Sequence, residues 1–254
     1  MKITIVTATY NSENTLRDTL NSIFSQNHED IECIVIDGKS QDKTLDIIKE
    51  YSILYPDRLK YISESDRGLY DAMNKGISMA TGDIIGVLNS DDFYASNDVL
   101  STIVKEIEDV DVVYGDLDFV DFHDTNKVIR TWRGSQHFSG AFLKGWHPAH
   151  PTFYAKRELY EKYGGFDLGF DISADFELML RFIEKHQSKN KYVHKVFVKM
   201  RYGGESTGSL SKILIGNRNI LRAFRKNGYK VSLLYPFKRI APKCLNIIKN
   251  KFKL

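Results

Sequence analysis

The hydrophobic positions of this chain alternate between short continuous runs and runs with helical spacing. The continuous runs predict strands buried on both faces of a parallel sheet at residues 3–7, 31–36 and 84–88, and two further short strands are predicted at residues 59–63 and 112–114. Apolar residues three or four positions apart predict the intervening helices, at residues 16–24, 44–51, 69–80 and 97–108. Because helices that connect successive strands make those strands parallel, the pattern predicts an α/β fold with a mostly parallel sheet flanked by helices.

The pattern changes after residue 115. Short alternating segments rich in aromatic and turn residues extend to residue 153, and they predict a mixed or antiparallel continuation of the sheet. Two further helices and a late strand are predicted at residues 157–163, 176–186 and 193–200. The sequence therefore predicts one domain and a C-terminal extension, with boundaries at 1–205 (halves 1–115 and 116–205) and 206–254.

Composition narrows the class of protein. The 254 residues are 42% hydrophobic, which is ordinary for a soluble globular chain and argues against disorder. The N-terminus enters a strand pattern directly, so no secretion signal is expected, and no apolar run is long enough to span a membrane. Cys33 and Cys244 lie far apart, which does not support a disulfide framework or a cysteine-based zinc site and fits a reduced, cytoplasmic setting.

The charge is divided sharply along the chain. Residues 1–205 carry 24 basic and 33 acidic side chains, a net charge of −9, whereas residues 206–254 carry twelve basic side chains and no acidic one. Within residues 236–254, apolar residues recur every four positions among lysines, at Ile240, Cys244, Ile248 and Phe252. This basic amphipathic pattern predicts a helix on an anionic membrane surface, with a core-docking helix as the alternative. The acidic body argues against a nucleic-acid partner.

Polar side chains follow each of the first four predicted strands. They are Thr9 and Asn11 after the first strand, Asp37 after the second, Asp66 after the third, and Asp91 and Asp92 after the fourth. Because the carboxyl ends of parallel strands meet at one edge, these groups predict a binding crevice, although capping or a solvated turn could explain any single one. The adjacent carboxylates Asp91 and Asp92 repel each other, and a divalent cation would relieve that repulsion.

Two common nucleotide motifs are absent. Gly38 and Lys39 follow a strand, but Cys33 stands where a Walker motif requires its first glycine, and no Gly-x-Gly-x-x-Gly sequence follows the first strand. A nucleoside diphosphate held through a metal fits the carboxylates without a glycine-rich loop. His147 and His150 could add a metal or phosphate contact or be ordinary loop histidines. A further aromatic group could line an acceptor cleft or pack in the core: Trp132, Phe138, Phe142, Trp146 and Phe153.

Four segments together resemble family 2 glycosyltransferases. They are Thr7-Ala8-Thr9-Tyr10-Asn11, Val35-Ile36-Asp37-Gly38-Lys39-Ser40-Gln41-Asp42-Lys43-Thr44, Asp66-Arg67-Gly68-Leu69-Tyr70-Asp71-Ala72-Met73-Asn74-Lys75-Gly76 and Asn89-Ser90-Asp91-Asp92. The resemblance is strong over residues 3–95 and looser to about Arg181, through residues 147–153 and 173–178. It implies a GT-A fold, in which a nucleotide-binding sheet is joined to a mixed acceptor-side region.

The resemblance also implies roles for individual residues. The nucleotide-sugar contacts it implies are Thr9, Asn11, Asp37, Asp66, Arg67, Asn74 and Asp91. It implies that Asp92 binds a Mn or Mg ion, with His150 as a further candidate contact, although Ser90-Asp91-Asp92 departs from a strict Asp-x-Asp motif. Asp175 is implied as the catalytic base, and its alternative role is to cap the helix that follows it.

The activity implied by the resemblance is an inverting transfer of a sugar from a nucleoside-diphosphate sugar to a glycan hydroxyl. The donor is expected to be a UDP-sugar, with a GDP- or dTDP-sugar as the alternative. We expect a lipid-linked acceptor, a role in bacterial surface-polysaccharide or lipopolysaccharide assembly, and a peripheral location on the inner face of the cytoplasmic membrane. One alternative is a sugar-nucleotide nucleotidyltransferase, which would want a glycine-rich N-terminal loop that residues 7–11 lack. The other alternative is a non-catalytic nucleotide-sugar-binding scaffold on the membrane.

Overall fold

A computed structural model describes residues 1–203, 210–232 and 235. Within this part of the chain nine strands form one sheet: β1 (Ile3–Thr9), β2 (Ile31–Asp37), β3 (Leu59–Ser63), β4 (Ile84–Val87), β5 (Phe93–Tyr94), β6 (Val112–Val120), β7 (Val128–Trp132), β8 (Tyr154–Lys156) and β9 (Asn190–Arg201). The α-helices described are α1 (Leu16–Phe24), α2 (Thr44–Leu54), α3 (Leu69–Met79), α4 (Val99–Glu106), α5 (Arg157–Tyr163), α6 (Ala174–Met179) and α7 (Leu210–Lys226).

The sheet has a parallel half and a mixed half, as the sequence predicts. Its strand order is β3-β2-β1-β4-β8-β6-β9-β5, and β7 pairs with the C-terminal part of β6, from Leu117 to Val120. The first four strands are parallel, β8 runs antiparallel to both β4 and β6, and β6 and β9 are parallel. The α/β fold with a mostly parallel nucleotide-side sheet and a mixed second half is thus confirmed.

Hydrophobic side chains fill both faces of the sheet because neighbouring strand residues point in opposite directions. On one face Ile3 and Ile5 pack with α1, α2 and α4, and on the other Val6 and Ala8 pack with α3, α5, α6 and α7. Cys33 is fully buried in this core, where burial raises the pKa of its thiol to about 12. Cys244 lies outside the described residues.

The C-terminal region is described only in part. Helix α7 packs against α6 through Ile220, Ala223 and Phe224, which are buried in the same cluster as α5 and α6. The predicted boundary near residue 206 and the amphipathic segment 236–254 lie outside the described residues, so the division into domains stays a prediction. No helix in the described part of the chain is both long and apolar enough to cross a membrane.

Candidate active site

The carboxyl ends of β1, β2 and β3 bring together two predicted nucleotide-sugar contacts, Thr9 and Asp37, and a residue that was not predicted, Ser63. Thr9 pairs with Asp37 in the strand register, and Asp37 pairs with Ser63. Asp37 is fully buried, and it accepts hydrogen bonds from the hydroxyls of Ser40 and, at 2.6 Å, Ser63. The hydroxyl of Thr9 is buried with no hydrogen-bond partner among the described residues, so this edge holds a polar group that a ligand could satisfy.

The loops after β1 and β2 brace each other. Asn11 donates its backbone N–H to Ser40 Oγ at 2.8 Å, and its Oδ1 accepts the backbone N–H of Gln41 at 2.8 Å. Asn11 adopts a left-handed backbone with φ of 50°, which this residue type tolerates better than most. The oxygen of the Asn11 amide is therefore committed to the loop, and its NH₂ group is the part left for a ligand.

Asp66 reaches across to the loop after β2. Its Oδ1 accepts the backbone N–H of Gly68 at 2.8 Å, and its Oδ2 lies so close to Gly38 that a Cβ there would be only 2.8 Å away. The ring of Tyr10 lies on the same side of Gly38 and is 61% exposed. Three loops therefore meet around Gly38, with Asp66 and an open aromatic ring at their surface.

Two predicted contacts in the segment 66–76, Arg67 and Asn74, have hydrogen-bond partners within the protein. Arg67 is largely exposed and donates to Asp71 Oδ1 at 2.8 Å, which lowers the pKa of Asp71. We call the carboxyl edge of the sheet that carries Thr9, Asp37 and Asp66 the donor edge. The Asn74 amide is engaged elsewhere: its Nδ2 donates to the carbonyl of Phe166 and its Oδ1 accepts the N–H of Phe166, both at 2.8 Å. Both ends of the amide therefore tie α3 to the Phe166 loop, and the nucleotide-sugar contact of Asn74 stays a prediction.

Asp91 and Asp92 differ in exposure. Asp92 is fully buried, its Oδ2 accepts from Asn89 Nδ2 at 3.1 Å, and its Oδ1 has no partner among the described residues. Burial and the neighbouring Asp91 raise the pKa of Asp92 well above its ordinary value. Asp91 is half-buried, and burial raises its pKa against the opposing charges of Arg201 and His150. Asp91 is thus the more exposed carboxylate of the pair, and the metal contact of Asp92 stays a prediction.

Arg201 fixes the backbone at this point. Its Nη1 donates to the carbonyl of Asp91 at 2.6 Å, its Nη2 pairs with Asp18, and the guanidinium lies 5.1 Å from the ring centre of Phe93. The side chain is almost fully buried, as expected for a charge that is paired and hydrogen-bonded. A strand of the second half of the sheet thus positions the carboxylate pair of the first half.

Asp175 lies in the first turn of α6, in the second half of the chain. Its Oδ1 accepts a hydrogen bond of 3.2 Å from the Tyr70 hydroxyl, and its Oδ2 lies 3.3 Å from His150 Nδ1. The N-cap of α6 is Ser173, with φ of 71°, so Asp175 does not occupy the capping position. Burial and the charge of Asp175 together raise the pKa of Tyr70, which keeps the phenol protonated as a donor.

His150 lies near both Asp175 and Asp91. It opens a 3₁₀ turn (His150–Thr152), faces Asp175 directly, and is close enough to Asp91 to oppose the rise of that residue's pKa. His147 instead packs its ring against Trp132 and Phe176 and places Nδ1 2.9 Å from the carbonyl of Pro148. Among the described residues, His150 is the member of the predicted histidine pair with a carboxylate contact in view, namely with Asp175.

The sequence profile described as Glycosyl transferase family 2 matches residues 4–168, more than half of the chain. The chain belongs to glycosyltransferase family 2. This membership decides for a glycosyltransferase over the nucleotidyltransferase and the scaffold that the sequence left as alternatives.

Curated relatives carry the same activity in their names. The chain is similar to the PGL/p-HBAD biosynthesis glycosyltransferase of Mycobacterium tuberculosis, with 30% identity over 212 residues that cover 82% of this chain and 80% of the relative. An uncharacterized glycosyltransferase of Nostoc sp. is 33% identical over 126 residues, which cover 49% of this chain and 39% of that protein.

Solved structures share the GT-A fold. S. aureus TarS 1–349 in complex with UDP-GlcNAc superposes with a TM-score of 0.68 at 17% identity, covering 100% of this chain and 77% of that chain. The mannosyltransferase PcManGT from Pyrobaculum calidifontis, in complex with GDP-Man and Mn²⁺, gives a TM-score of 0.65 at 22% identity, covering 94% and 67%. At these identities the likeness shows the fold of this glycosyltransferase.

Several site residues of this glycosyltransferase carry no signal of their own in the sequence. Tyr70 and Ser40 lie inside segments that resemble the family, but neither is an acid or an amide, so neither stands out at a strand end. Ser63 contacts Asp37, 26 positions away, and Arg201 contacts Asp91, 110 positions away. Only the folded sheet brings each residue to its partner. Aligning the predicted strands β2 and β3 in parallel register could have identified Ser63, because it is the β3 partner of Asp37.

Most of the aromatic residues predicted for an acceptor cleft pack in the core of the enzyme. Phe142 and Phe153 are buried, and Trp146 packs edge-on against Phe142 while its Nε1 donates to Ser135 at 2.9 Å. Phe138 is the exposed member of the set, at 48%. The structure therefore favours core packing for Phe142, Phe153 and Trp146.

Proposed function

We propose that this glycosyltransferase moves a sugar from a UDP-sugar to an acceptor hydroxyl with inversion, and that Asp175 is the base. One observation carries the proposal: Asp175 hydrogen-bonds to Tyr70, which lies in the first turn of α3, directly after the donor loop of Asp66 and Arg67. The only half-exposed carboxylate of the described α6 is thereby held beside the helix that begins at the donor edge. A carboxylate at this position can take a proton from a hydroxyl that faces the donor sugar.

The donor edge fits a nucleoside diphosphate. Three groups at this edge suit a nucleoside: the Thr9 hydroxyl, the Asp37 carboxylate and the exposed ring of Tyr10. Carboxylates accept hydrogen bonds from ribose hydroxyls, and aromatic rings stack on bases. Asn11 and Asp66 add an amide and a carboxylate from the adjacent loops. We propose a further contact for Arg67, whose exposed guanidinium lies next to Asp66 in the chain.

A divalent cation, Mn or Mg, fits this edge as a partner of the diphosphate. The described residues hold no group of three or more His, Cys, Asp or Glu side chains that could bind a metal. Magnesium is commonly bound through one or two carboxylates together with substrate phosphates, which matches the single open carboxylate of Asp91. The unpaired oxygens of Asn89 and Asp92 behind it are also hard ligands. Such an ion would neutralise the charge that develops on the leaving diphosphate.

The reaction needs one base. Asp175 accepts the proton of the acceptor hydroxyl, the hydroxyl oxygen bonds to the anomeric carbon, and the bond from that carbon to the diphosphate oxygen breaks. The nucleoside diphosphate leaves from the opposite face, so the anomeric configuration is inverted. Tyr70 and His150 hold the two carboxylate oxygens, which limits the rotation of the base away from the acceptor.

The acceptor we propose is a lipid-linked glycan used in bacterial surface-polysaccharide or lipopolysaccharide assembly. The support is the basic, amphipathic sequence of residues 236–254 and the name of the mycobacterial relative, a biosynthesis glycosyltransferase. The same charge pattern supports a peripheral position on the inner, cytoplasmic face of the membrane. UDP is proposed as the nucleotide because TarS was solved with UDP-GlcNAc, and GDP is the alternative because PcManGT was solved with GDP-Man.

A panel of UDP-, GDP- and dTDP-sugars tests the donor. We expect a UDP-sugar to raise the melting temperature in the presence of Mn²⁺, to raise it less with a chelator, and to release UDP slowly by hydrolysis. A matched scan with the free nucleoside monophosphates controls for base binding alone. Stabilisation by GDP-sugars only would reject the UDP assignment, and no stabilisation by any sugar nucleotide would reject the donor site itself.

A further inference from the structure

One surface of helix α7 combines exposed aliphatic and cationic side chains. Leu214 is 69% and Ile215 46% exposed, and the residues that follow on the same side are Arg218, Arg222, Arg225 and Lys226. At 3.6 residues per turn these six positions span an arc of roughly 120°. The opposite side is buried through Ile220, Ala223 and Phe224. We call these six residues the α7 outer face, and it contains no carboxylate.

The α7 outer face lies beside the acceptor side of the active site. Asn219 Nδ2 donates to the carbonyl of Ile172 at 2.9 Å, and the side chain of Ser173 lies 3.5 Å from the point where a Cβ on Gly216 would be. Ser173 precedes Asp175 by two residues and caps the same helix. The aliphatic end of the α7 outer face is therefore anchored within one helical turn of the proposed base.

The cations of this face fall into two groups. Arg222 donates to the carbonyl of Gly169 at 2.8 Å and lies over the ring of Phe170, and Lys226 pairs with Asp167. Arg218 and Arg225 have no ion pair or hydrogen bond to any residue that the structure describes. Within the described part of the chain, two guanidinium groups are thus available to an anionic partner.

We propose that the α7 outer face docks on an anionic lipid bilayer. Leu214 and Ile215 would enter the boundary between headgroups and acyl chains, while Arg218 and Arg225 reach the lipid phosphates with their apolar stems against the surface. The net charge of −9 on residues 1–205 opposes the approach of most of the body to such a membrane, which leaves the cationic face to meet it. The purpose of this docking, though not the binding, rests on the proposed lipid-linked acceptor.

The aliphatic part of the proposal is tested by co-sedimentation of the full chain with vesicles. The vesicles contain phosphatidylglycerol and phosphatidylcholine, or phosphatidylcholine alone. We expect Leu214→Asp combined with Ile215→Asp to weaken binding to the anionic vesicles at least about tenfold, because two aliphatic side chains no longer leave water. Ile53→Asp with Leu54→Asp is the matched control, since these residues end α2 and are 79% and 60% exposed. An equal effect of both pairs, or no effect of either, would overturn the proposal.

The cationic part is tested with a charge-matched pair of variants. Arg218→Gln with Arg225→Gln should weaken binding more than tenfold, at about fivefold for each charge near an anionic surface. Lys49→Gln with Lys105→Gln removes two charges from the exposed surfaces of α2 and α4 and should change binding little. Equal losses would assign the binding to net charge and reject a specific face.

A second copy of the chain is the competing occupant. If the α7 variants altered the oligomeric mass in solution while vesicle binding stayed unchanged, the face would be a subunit contact and the proposal would be wrong. The rise in melting temperature that a UDP-sugar causes is measured on the same variants. This measurement tests sugar-nucleotide binding, which is separate from binding of the α7 outer face to vesicles. An absence of donor stabilisation in the wild type would reject the donor site, whereas vesicle binding is scored without any donor or acceptor.

Discussion

The Tyr70 hydroxyl donates a hydrogen bond of 3.2 Å to Oδ1 of Asp175, although 105 positions separate the two residues in the chain. Tyr70 lies on α3, which begins at the donor edge, and Asp175 lies on α6, which belongs to the acceptor-side half. One hydrogen bond therefore joins the two halves of the site at the proposed base.

Tyr70→Phe should lower kcat while leaving donor binding intact. A hydrogen bond to a charged group contributes about 1.5–3 kcal/mol, so losing it from the transition-state geometry corresponds to roughly 10- to 100-fold in kcat. The KM for the donor should stay within about twofold if the role is positioning. Tyr61→Phe on β3 removes a hydroxyl from an exposed tyrosine and is the control. Equal kcat values for the wild type and Tyr70→Phe would show that the hydrogen bond does not position the base.

Asp91→Asn and Asp92→Asn should separate metal binding from packing. Asp91 is the half-buried carboxylate at the open edge, whereas Asp92 is enclosed beside Asn89. We expect Asp91→Asn to abolish the additional donor stabilisation that Mn²⁺ provides, and Asp92→Asn to retain at least part of it. Thermal shift with UDP-sugar, with and without Mn²⁺, measures both. The reverse result would support the role that the sequence resemblance gave to Asp92.

Gly38→Ala should weaken donor binding through Asp66. The added Cβ would lie 2.8 Å from Asp66 Oδ2, which is too close, so the carboxylate must move away from the loop. We expect a fall in donor affinity of about tenfold, comparable to one lost hydrogen bond to a charged group. Gly216→Ala serves as a control because its Cβ would meet Ser173 Oγ at an ordinary 3.5 Å. Titration calorimetry with the UDP-sugar would show the difference, and equal affinities in wild type and Gly38→Ala would remove Asp66 from the donor site.

Glu32 provides a pH-dependent contribution to stability far from the active site. Its carboxylate is nearly buried at the amino edge of the sheet, where burial alone would raise its pKa. Hydrogen bonds from Lys60, Thr81 and Thr4 outweigh burial and lower the pKa from 4.5 to about 2. Because the folded pKa lies below the unfolded one, the stabilisation is present above pH 4.5 and is lost as the pH falls toward 2.

Glu32→Gln should therefore lower the free energy of unfolding by about 1–3 kcal/mol at pH 7, and by less at pH 3. Urea unfolding at the two pH values measures this difference. Glu50→Gln, which breaks the exposed pair with Arg17, should change stability little at either pH. A destabilisation by Glu32→Gln that grows as the pH falls would contradict a lowered pKa for Glu32 in the folded protein.

The sequence predicted the parallel strands and the edge at which Thr9, Asp37, Asp66 and Asp91 collect, because apolar runs and strand order determine both. It could not distinguish the exposure of Asp91 from that of Asp92. The two residues are adjacent in a turn, and a turn has no regular pattern of hydrophobic positions from which the direction of each side chain could be predicted. The short strand β5 and the use of Asn74 as a brace for Phe166 depend on distant partners. For the same reason, the bond from Tyr70 to Asp175 became visible only in the fold.

The central claim is that Asp175 is the base, and Asp175→Asn tests it most directly. The amide keeps the size of the side chain and can still accept from Tyr70, but it cannot take a proton at neutral pH. We predict that donor affinity, measured by titration with the UDP-sugar and Mn²⁺, stays within about threefold while sugar transfer falls by about 10²–10⁴-fold. Transfer at a rate near that of the wild type would contradict the account.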